Sequence, residues 1–327
     1  MKKTMVLGSD ALKNDSALSE SSKTCKANFL LLLTAAIWGS AFVAQRMGMD
    51  HVGPFTFNGV RFALGAMILL PLTKWRISDS NGEKQVSRII IWGGALAGMV
   101  MFGGATLQQI GLVYTTAGKA AFITGLYVII VPLLGLFWGD KPGWGGWIGV
   151  TLAAVGLYFL SITESFTFAP GDLWVLIGAF FWAVHVLILS RFAPDVHRIT
   201  IACVQAIVCS VLSLLVAVFA EPITFSGLRY AAIPILYGGV MSVGIAYTMQ
   251  VVAQKDASPV HAAIILSLEG FFAAIAGWFI LEEVLTLRAI MGCALMLTGM
   301  LIAQLQTSES KPHAEGSSHF SLGPAES

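Results

Sequence analysis

A few ionisable and polar aromatic residues stand inside stretches of this chain that are otherwise apolar. Glu269 follows Ile264-Ile265-Leu266-Ser267-Leu268 and precedes Phe271-Phe272. A carboxyl in such a run is costly and marks a functional position by default. It reads as a neutral acid that takes up a proton or as a carboxylate that binds a cationic group, the bland alternative being an acid hydrogen-bonded to a neighbouring helix. Arg61, seven residues after Pro54, carries a planar fork suited to a substrate carboxylate. It could equally snorkel outward or pair with Asp50. His185 lies three residues after Trp182, on the same helical face. His261 lies two residues after Pro259 and two turns before Glu269. Either histidine is a candidate proton relay, against packing as the plainer role. Trp38 and Trp182 could stack on an apolar or aromatic substrate, or simply pack at helix interfaces. Tyr127 offers a ring and a hydroxyl. Gln109 and Gln254, with Gln108 and Gln250 beside them, either bond helix to helix or line a polar cavity. The candidate substrate-binding set is therefore Glu269, Tyr127, Trp38, Trp182, Gln109, Gln254 and Arg61. The candidate proton-coupling set is Glu269, His261 and His185.

The elements that must position these residues follow from composition. The chain has 327 residues, of which 56 % are hydrophobic and 11 % charged, and its mean hydropathy is +0.79. A soluble protein carries about 25 % charged residues. Apolar runs fall at about 28–46, 55–73, 89–112, 118–138, 144–162, 172–191, 199–220, 231–253, 259–281 and 287–305. Each is close to the roughly 20 residues that span a bilayer core. Gly53-Pro54, Asp140-Lys141-Pro142-Gly143, Ala169-Pro170-Gly171, Glu221-Pro222 and Ser258-Pro259 punctuate them. The runs are apolar on every side, which excludes a membrane β-barrel. The expected fold is an all-α polytopic membrane protein of ten helices.

Residues 1–27 form a polar tail and 306–327 a second, disordered one. If the N-terminus is cytoplasmic, 14 of the 19 lysines and arginines fall on that side. Four, Arg46, Lys119, Arg229 and Arg288, fall opposite, and Arg61 lies within a span. Both termini are thus expected in the cytoplasm. Lys119, at the outer rim, is expected to snorkel.

The ten runs repeat as two sets of five. Trp92-Gly93-Gly94 matches Tyr237-Gly238-Gly239, and Gln109 matches Gln254, at an offset of 145. After a slip of three, Lys119-Ala120-Ala121-Phe122 falls opposite His261-Ala262-Ala263-Ile264, and Tyr127 opposite Glu269. Ile148-Gly149 matches Met291-Gly292, Gly156 matches Gly299, and Trp38 matches Trp182. The halves are 28–162 and 172–305, joined by a linker at 163–171. Five is odd, so the second half must be inverted relative to the first, an arrangement typical of transporters.

With Ala36-Ile37-Trp38-Gly39-Ser40, Gly53-Pro54, Arg61-Phe62, Tyr114-Thr115-Thr116-Ala117-Gly118-Lys119-Ala120 and Val131-Pro132-Leu133-Leu134 in the first half, the chain resembles the drug/metabolite transporter superfamily, in its EamA-type branch. Ala257-Ser258-Pro259, Leu268-Glu269 and Leu281-Glu282-Glu283 carry the resemblance in the second half. It covers residues 28–305 and implies ten helices, cytoplasmic termini and a central cavity between the repeats. The family pattern has proline after the glutamate of the ninth span, where this chain has Gly270. Its members handle amino acids, sugars, nucleotide-linked compounds and drugs.

Other functions fit less well. A net charge of +1 offers no basic face for nucleic acid. The cysteines, Cys25, Cys203, Cys209 and Cys293, form neither a disulfide framework nor a zinc site. Gly39-Ser40 with His185 lacks a Gly-x-Ser-x-Gly elbow, and there is neither a His-Glu-x-x-His motif nor a phosphate-binding loop. The expectation is a non-enzymatic secondary transporter, an exporter of small metabolites such as amino acids, working by alternating access. Channel-like facilitation or, less well, an intramembrane enzyme are the alternatives. No cofactor or metal is expected. Its partners would be a small-molecule substrate and the lipid bilayer of a bacterial inner (plasma) membrane, and assembly as a homodimer stays open.

Overall fold

A computed structural model describes residues 2–77, 84–161, 170–192, 198–281 and 287–309, and their regular structure is helical throughout. The first half comprises α1 (Lys2–Gly48), α2 (Pro54–Ile77), α3 (Lys84–Tyr114), α4 (Ala117–Gly125), α5 (Tyr127–Phe137) and α6 (Trp144–Ser161). The second comprises α7 (Pro170–Phe192), α8 (Arg198–Ala220), the short α9 (Phe225–Tyr230) and α10 (Ala232–Leu236). A π-helical segment (Tyr237–Tyr247) follows, then α11 (Thr248–Ala253), α12 (Pro259–Leu266), α13 (Glu269–Leu281) and α14 (Leu287–Glu309). Eight stretches among the described residues are long and apolar enough to cross a membrane. The fifth and tenth runs appear as shorter apolar helices, Trp144–Phe159 and Ile290–Ala303.

Some boundaries differ from the sequence reading. Helix α1 begins at Lys2, so most of the segment read as a polar tail continues the first span as helix. Residues 2–27 contain no proline and only Gly8 to weaken the helix. At the other end, α14 runs to Glu309, and residues 310–327 lie outside the described residues. So do 163–169 of the linker, and Glu282 and Glu283.

Three spans are interrupted. The fourth breaks at Leu126, between α4 and α5, and the ninth at Ser267-Leu268, between α12 and α13. At both breaks the backbone tightens to i→i−3 bonds, Leu126 N to Ile123 O at 3.2 Å and Leu268 N to Ile265 O at 3.1 Å. Ser267 Oγ donates back to Ile264 O at 2.8 Å, a local competitor to regular helix. The eighth span takes the π form over its glycine-rich centre, which contains Gly238, Gly239 and Gly244.

Packing between the halves follows a two-fold pattern. Helix α6 crosses α14, and α2 packs on α8. The contact of α3 with α7 has its counterpart in that of the π segment with α1. The α6–α14 crossing is reciprocal in detail. A Cβ on Gly149 would lie 2.9 Å from Gly299 O, and one on Gly156 would lie 2.6 Å from Gly292 O. Gly149 and Gly292 are sequence equivalents, as are Gly156 and Gly299, so one close backbone approach is built twice. The largest buried cluster joins both halves, including Phe62, Met101, Trp182, Ala206, Tyr247 and Leu266.

Candidate functional site

The interruptions, rather than the regular helices, build the centre of the molecule. Tyr127 is the first residue of α5 and Glu269 the first of α13. These are the same point of the two repeats, immediately beyond equivalent breaks, and both side chains line one narrow cavity. Glu269 is 3 % exposed and its Oε1 has no hydrogen-bond partner; neither does the Tyr127 hydroxyl beside it. Thr124 Oγ1 and Gln250 Oε1 on the same wall also lack partners. Buried polar atoms are ordinarily satisfied, so four such atoms around one cavity mark a surface made to receive polar groups.

Arg61 reaches this cavity from α2 and is 2 % exposed. Its Nε donates to Asn58 Oδ1 at 3.0 Å, and Asn58 Nδ2 is held by Ala105 O at 3.1 Å. The guanidinium lies over the rings of Phe62 (4.9 Å) and Phe57 (5.5 Å), contacts that steady a cation without neutralising it. It neither snorkels nor pairs with Asp50, whose carboxylate bonds Arg46 at 2.7 Å. Among the described residues no carboxylate pairs with Arg61, and no cation pairs with Glu269.

Aromatic rings fill the space between these two charges. Trp38 and Tyr247 lie 4.7 Å apart, centroid to centroid, and Trp182 stacks on Tyr247 at 6.1 Å. Each tryptophan is anchored to the opposite repeat, at positions that are not repeat equivalents. Trp38 Nε1 donates to Ser242 O at 3.4 Å, and Trp182 Nε1 donates to Gln108 Oε1 at 2.9 Å. Gly39 sets the approach of α1. A Cβ there would lie 2.5 Å from Glu269 O and 2.7 Å from Ala273 N, so only glycine lets α1 bring Trp38 against the start of α13.

Five of the residues singled out in sequence thus meet at one cavity: Glu269, Tyr127, Trp38, Trp182 and Arg61. Four do not line it. Gln109 Nε2 donates to Gln45 O at 3.4 Å, and Gln254 Nε2 to Val186 O at 3.1 Å and Ser190 Oγ at 3.2 Å. Both glutamines tie helices together, while their neighbours Gln108 and Gln250 take the cavity wall. His185, wholly buried, bonds Gln205 Oε1 at 3.0 Å and lies edge-on to Trp182, one layer behind the wall. His261 bonds Asn28 Oδ1 at 2.9 Å near the start of the ninth span and borders a separate open cavity.

Sequence reasoning missed Phe42, Gln45, Thr124, Val186, Ser242, Tyr247 and Leu266. Phe42 and Gln45 continue the Trp38 stripe at i+4 and i+7, and Val186 lies at i+4 from Trp182, so helical spacing could have found them. Ser242 and Tyr247 are five apart. That spacing shares a face only where hydrogen bonds run i→i+5, as in the π segment that carries both. Lys119 does not snorkel either. Its Nζ bonds Asp172 Oδ2 at 2.7 Å, because that carboxylate, 2 % exposed, needs a counter-charge.

Comparison with known proteins agrees with this architecture. The profile of the EamA-like transporter family matches residues 26–162 and again residues 169–304. An uncharacterized transporter of Archaeoglobus fulgidus is 32 % identical over 290 residues, covering 88 % of this chain and 89 % of its own. The uncharacterized transporter YoaV of Bacillus subtilis is 22 % identical, over 86 % of this chain and 97 % of its own. The uncharacterized inner membrane transporter YedA of Escherichia coli is 26 % identical over 168 residues, about half of each chain. A solved crystal structure shares the fold, with a TM-score of 0.70 at 18 % identity over 88 % of this chain and 99 % of its own. Two copies of a five-helix unit, each matched by the family profile and together enclosing one cavity, make this chain a membrane transporter that belongs to the EamA-like transporter family.

Proposed function

We propose that this protein is a secondary transporter of small zwitterionic metabolites, amino acids foremost, which bind at the central cavity and cross by alternating access between two inverted repeats. The observation that carries the reading is the presence of a buried Arg61 and a buried Glu269, neither ion-paired among the described residues, on one cavity walled by Trp38, Tyr247 and Trp182. A substrate carboxylate completes the Arg61 fork through bidentate bonds. A substrate ammonium completes Glu269, helped by the Tyr127 hydroxyl. The rings between them take the apolar body of the substrate and the face of its cation. A molecule with both charges completes the site in one binding event, whereas a cation alone leaves Arg61 buried and unpaired, at a cost of several kcal/mol, and an acid alone forgoes the contact with Glu269.

Glu269 also serves as the coupling group in this reading: a carboxyl that is protonated when no cationic substrate is bound exchanges one for the other. In this reading the weight of lysine and arginine on the terminus-bearing end supports cytoplasmic termini, with transport running outward.

The test is counterflow in proteoliposomes preloaded with a mixture of L-amino acids, using tritiated L-phenylalanine, L-leucine or L-threonine outside. Competition by the parent amino acid is expected to exceed that by its decarboxylated amine or its deaminated acid by at least about tenfold, the value of one lost charged contact. Equal competition by all three overturns the zwitterion reading. Efflux without counterflow assigns the protein to channel-like facilitation instead.

A further inference from the structure

The two repeats tie their halves together at opposite ends of the molecule through the same pair of positions. At the end away from the termini, Lys119 Nζ on α4 bonds Asp172 Oδ2 on α7 at 2.7 Å. At the terminus-bearing end, His261 Nε2 on α12 bonds Asn28 Oδ1 on α1 at 2.9 Å. Asn28 and Asp172 are 144 residues apart, the offset of Trp38 and Trp182, and Lys119 matches His261 in the repeat. The capping residues repeat as well: Thr116 accepts from Lys119 N, and Ser258 accepts from His261 N. Each contact therefore joins the outer end of a half-helix, α4 or α12, to a helix of the other repeat. The inner ends of the same half-helices are the breaks at Leu126 and Ser267-Leu268, immediately before Tyr127 and Glu269. A segment with a tether at one end and a break at the other, next to the binding residues, has the parts of a gate.

The two tethers differ in chemistry. The Lys119–Asp172 contact is an ion pair, reinforced by Thr115 Oγ1 donating to Asp172 Oδ1 at 2.7 Å. At the same end the Glu221 carboxylate caps α2 of the other repeat, accepting from Phe55 N at 2.8 Å and Thr56 N at 2.7 Å. The terminus-bearing end has the His261–Asn28 bond, in which the asparagine carries no charge. It also has the exposed Arg191, whose Nη2 donates to Trp138 O at 3.0 Å and lies 3.7 Å from Asp140 Oδ1, with side chains 43 % and 32 % exposed, an ion pair of a class worth little. An open cavity of about 570 Å³ lies beside Ser258, Pro259 and His261 at the start of α12.

We infer that Lys119–Asp172 and Asn28–His261 are the paired latches of the two gates, and that their unequal strength sets the resting transporter to open at the terminus-bearing end. This rests on the alternating-access reading. The weaker latch releases first, so an unloaded protein presents its cavity to the side that holds its termini. Placing a carboxylate at position 28 would equalise the two latches; removing the one at position 172 would weaken the stronger.

The test measures both ends of the full-length protein in lipid nanodiscs by double electron–electron resonance, with the four native cysteines replaced by alanine. One spin-label pair occupies Gly118→Cys and Leu173→Cys, and the other Lys26→Cys and Lys255→Cys, all at exposed positions. The parent is expected to show two distances at the terminus-bearing end, with the long one favoured. Asn28→Asp, nearly isosteric, is expected to shift that ratio about fivefold toward the short distance, the effect of making a neutral hydrogen bond charge-assisted. Asp172→Asn is expected to shift the opposite pair about fivefold toward its long distance. Should Asn28→Asp not yield monodisperse protein, Asp172→Asn and Lys119→Met decide the question at the other end. Two distances in the parent that neither substitution moves overturn the latches and leave alternating access standing. One fixed distance at each end, in parent and variants alike, overturns both.

Discussion

At the scale of single residues, the central fact is an arginine and a glutamate that share a cavity without sharing a salt bridge. Arg61 is steadied by Asn58 and two phenylalanine rings; Glu269 has the Tyr127 hydroxyl beside it and an unpartnered oxygen. Neither arrangement uses up the charge. Glu269→Gln keeps the shape and removes the charge, so the protein is expected to fold and reach the membrane while losing transport driven by a pH gradient in proteoliposomes. Unchanged flux with unchanged pH dependence excludes the role. Arg61→Lys keeps the charge but loses the planar fork and its contact with the rings. Its apparent affinity for a carboxylate-bearing substrate should fall about tenfold, which is roughly 1.4 kcal/mol, with little change in the amount of folded protein recovered.

The elements matter through their irregularities. Two half-helices, α4 and α12, end at breaks that deliver Tyr127 and Glu269, and a π segment stacks Ser242 and Tyr247 on the cavity face. Glycine at position 39 closes the remaining wall by letting α1 touch the backbone of α13. Gly39→Ala places a methyl 2.5 Å from Glu269 O and 2.6 Å from Phe272 Cβ. Overpacking of this kind costs about 1–3 kcal/mol, and thermal unfolding in detergent should move measurably downward. Gly118 is the control. A Cβ there meets nothing within 4 Å, so Gly118→Ala should leave the unfolding temperature within error of the parent. Equal effects at both positions would remove the packing explanation for Gly39.

For the whole molecule, the repeat is visible in two independent contacts built twice: the glycine crossing of α6 with α14, and the tethers at the ends of α4 and α12. Two equivalent halves around one site can exchange conformations, which is the physical basis of the alternating-access proposal. Topology is checked by a reporter active only in the cytoplasm. Fused after Ala303, at the end of the last apolar stretch, it should be active, and inactivity there refutes an even number of spans with cytoplasmic termini.

Membrane class, ten apolar runs, the two-fold repeat and seven of the cavity residues, Gln108 and Gln250 among them, were legible in the amino-acid sequence by itself. Each rests on a property that survives without coordinates. Hydrophobic length reports the thickness of the solvent, an isolated charge reports its own expense, and self-similarity reports duplication. What only the tertiary structure decided is which polar groups face inward and which bond one another. Gln109 and Gln108 are adjacent in sequence and both bond Gln45 of α1, yet only Gln108 also faces the cavity and takes the Trp182 bond, because the crossing of neighbouring helices selects between two faces that apolar periodicity does not distinguish. Tyr247 shares a face with Ser242 only because its segment has π rather than α geometry. The pairing of Lys119 with Asp172, and of His261 with Asn28, joins residues 53 and 233 positions apart, and separations of that length are settled by packing between the repeats.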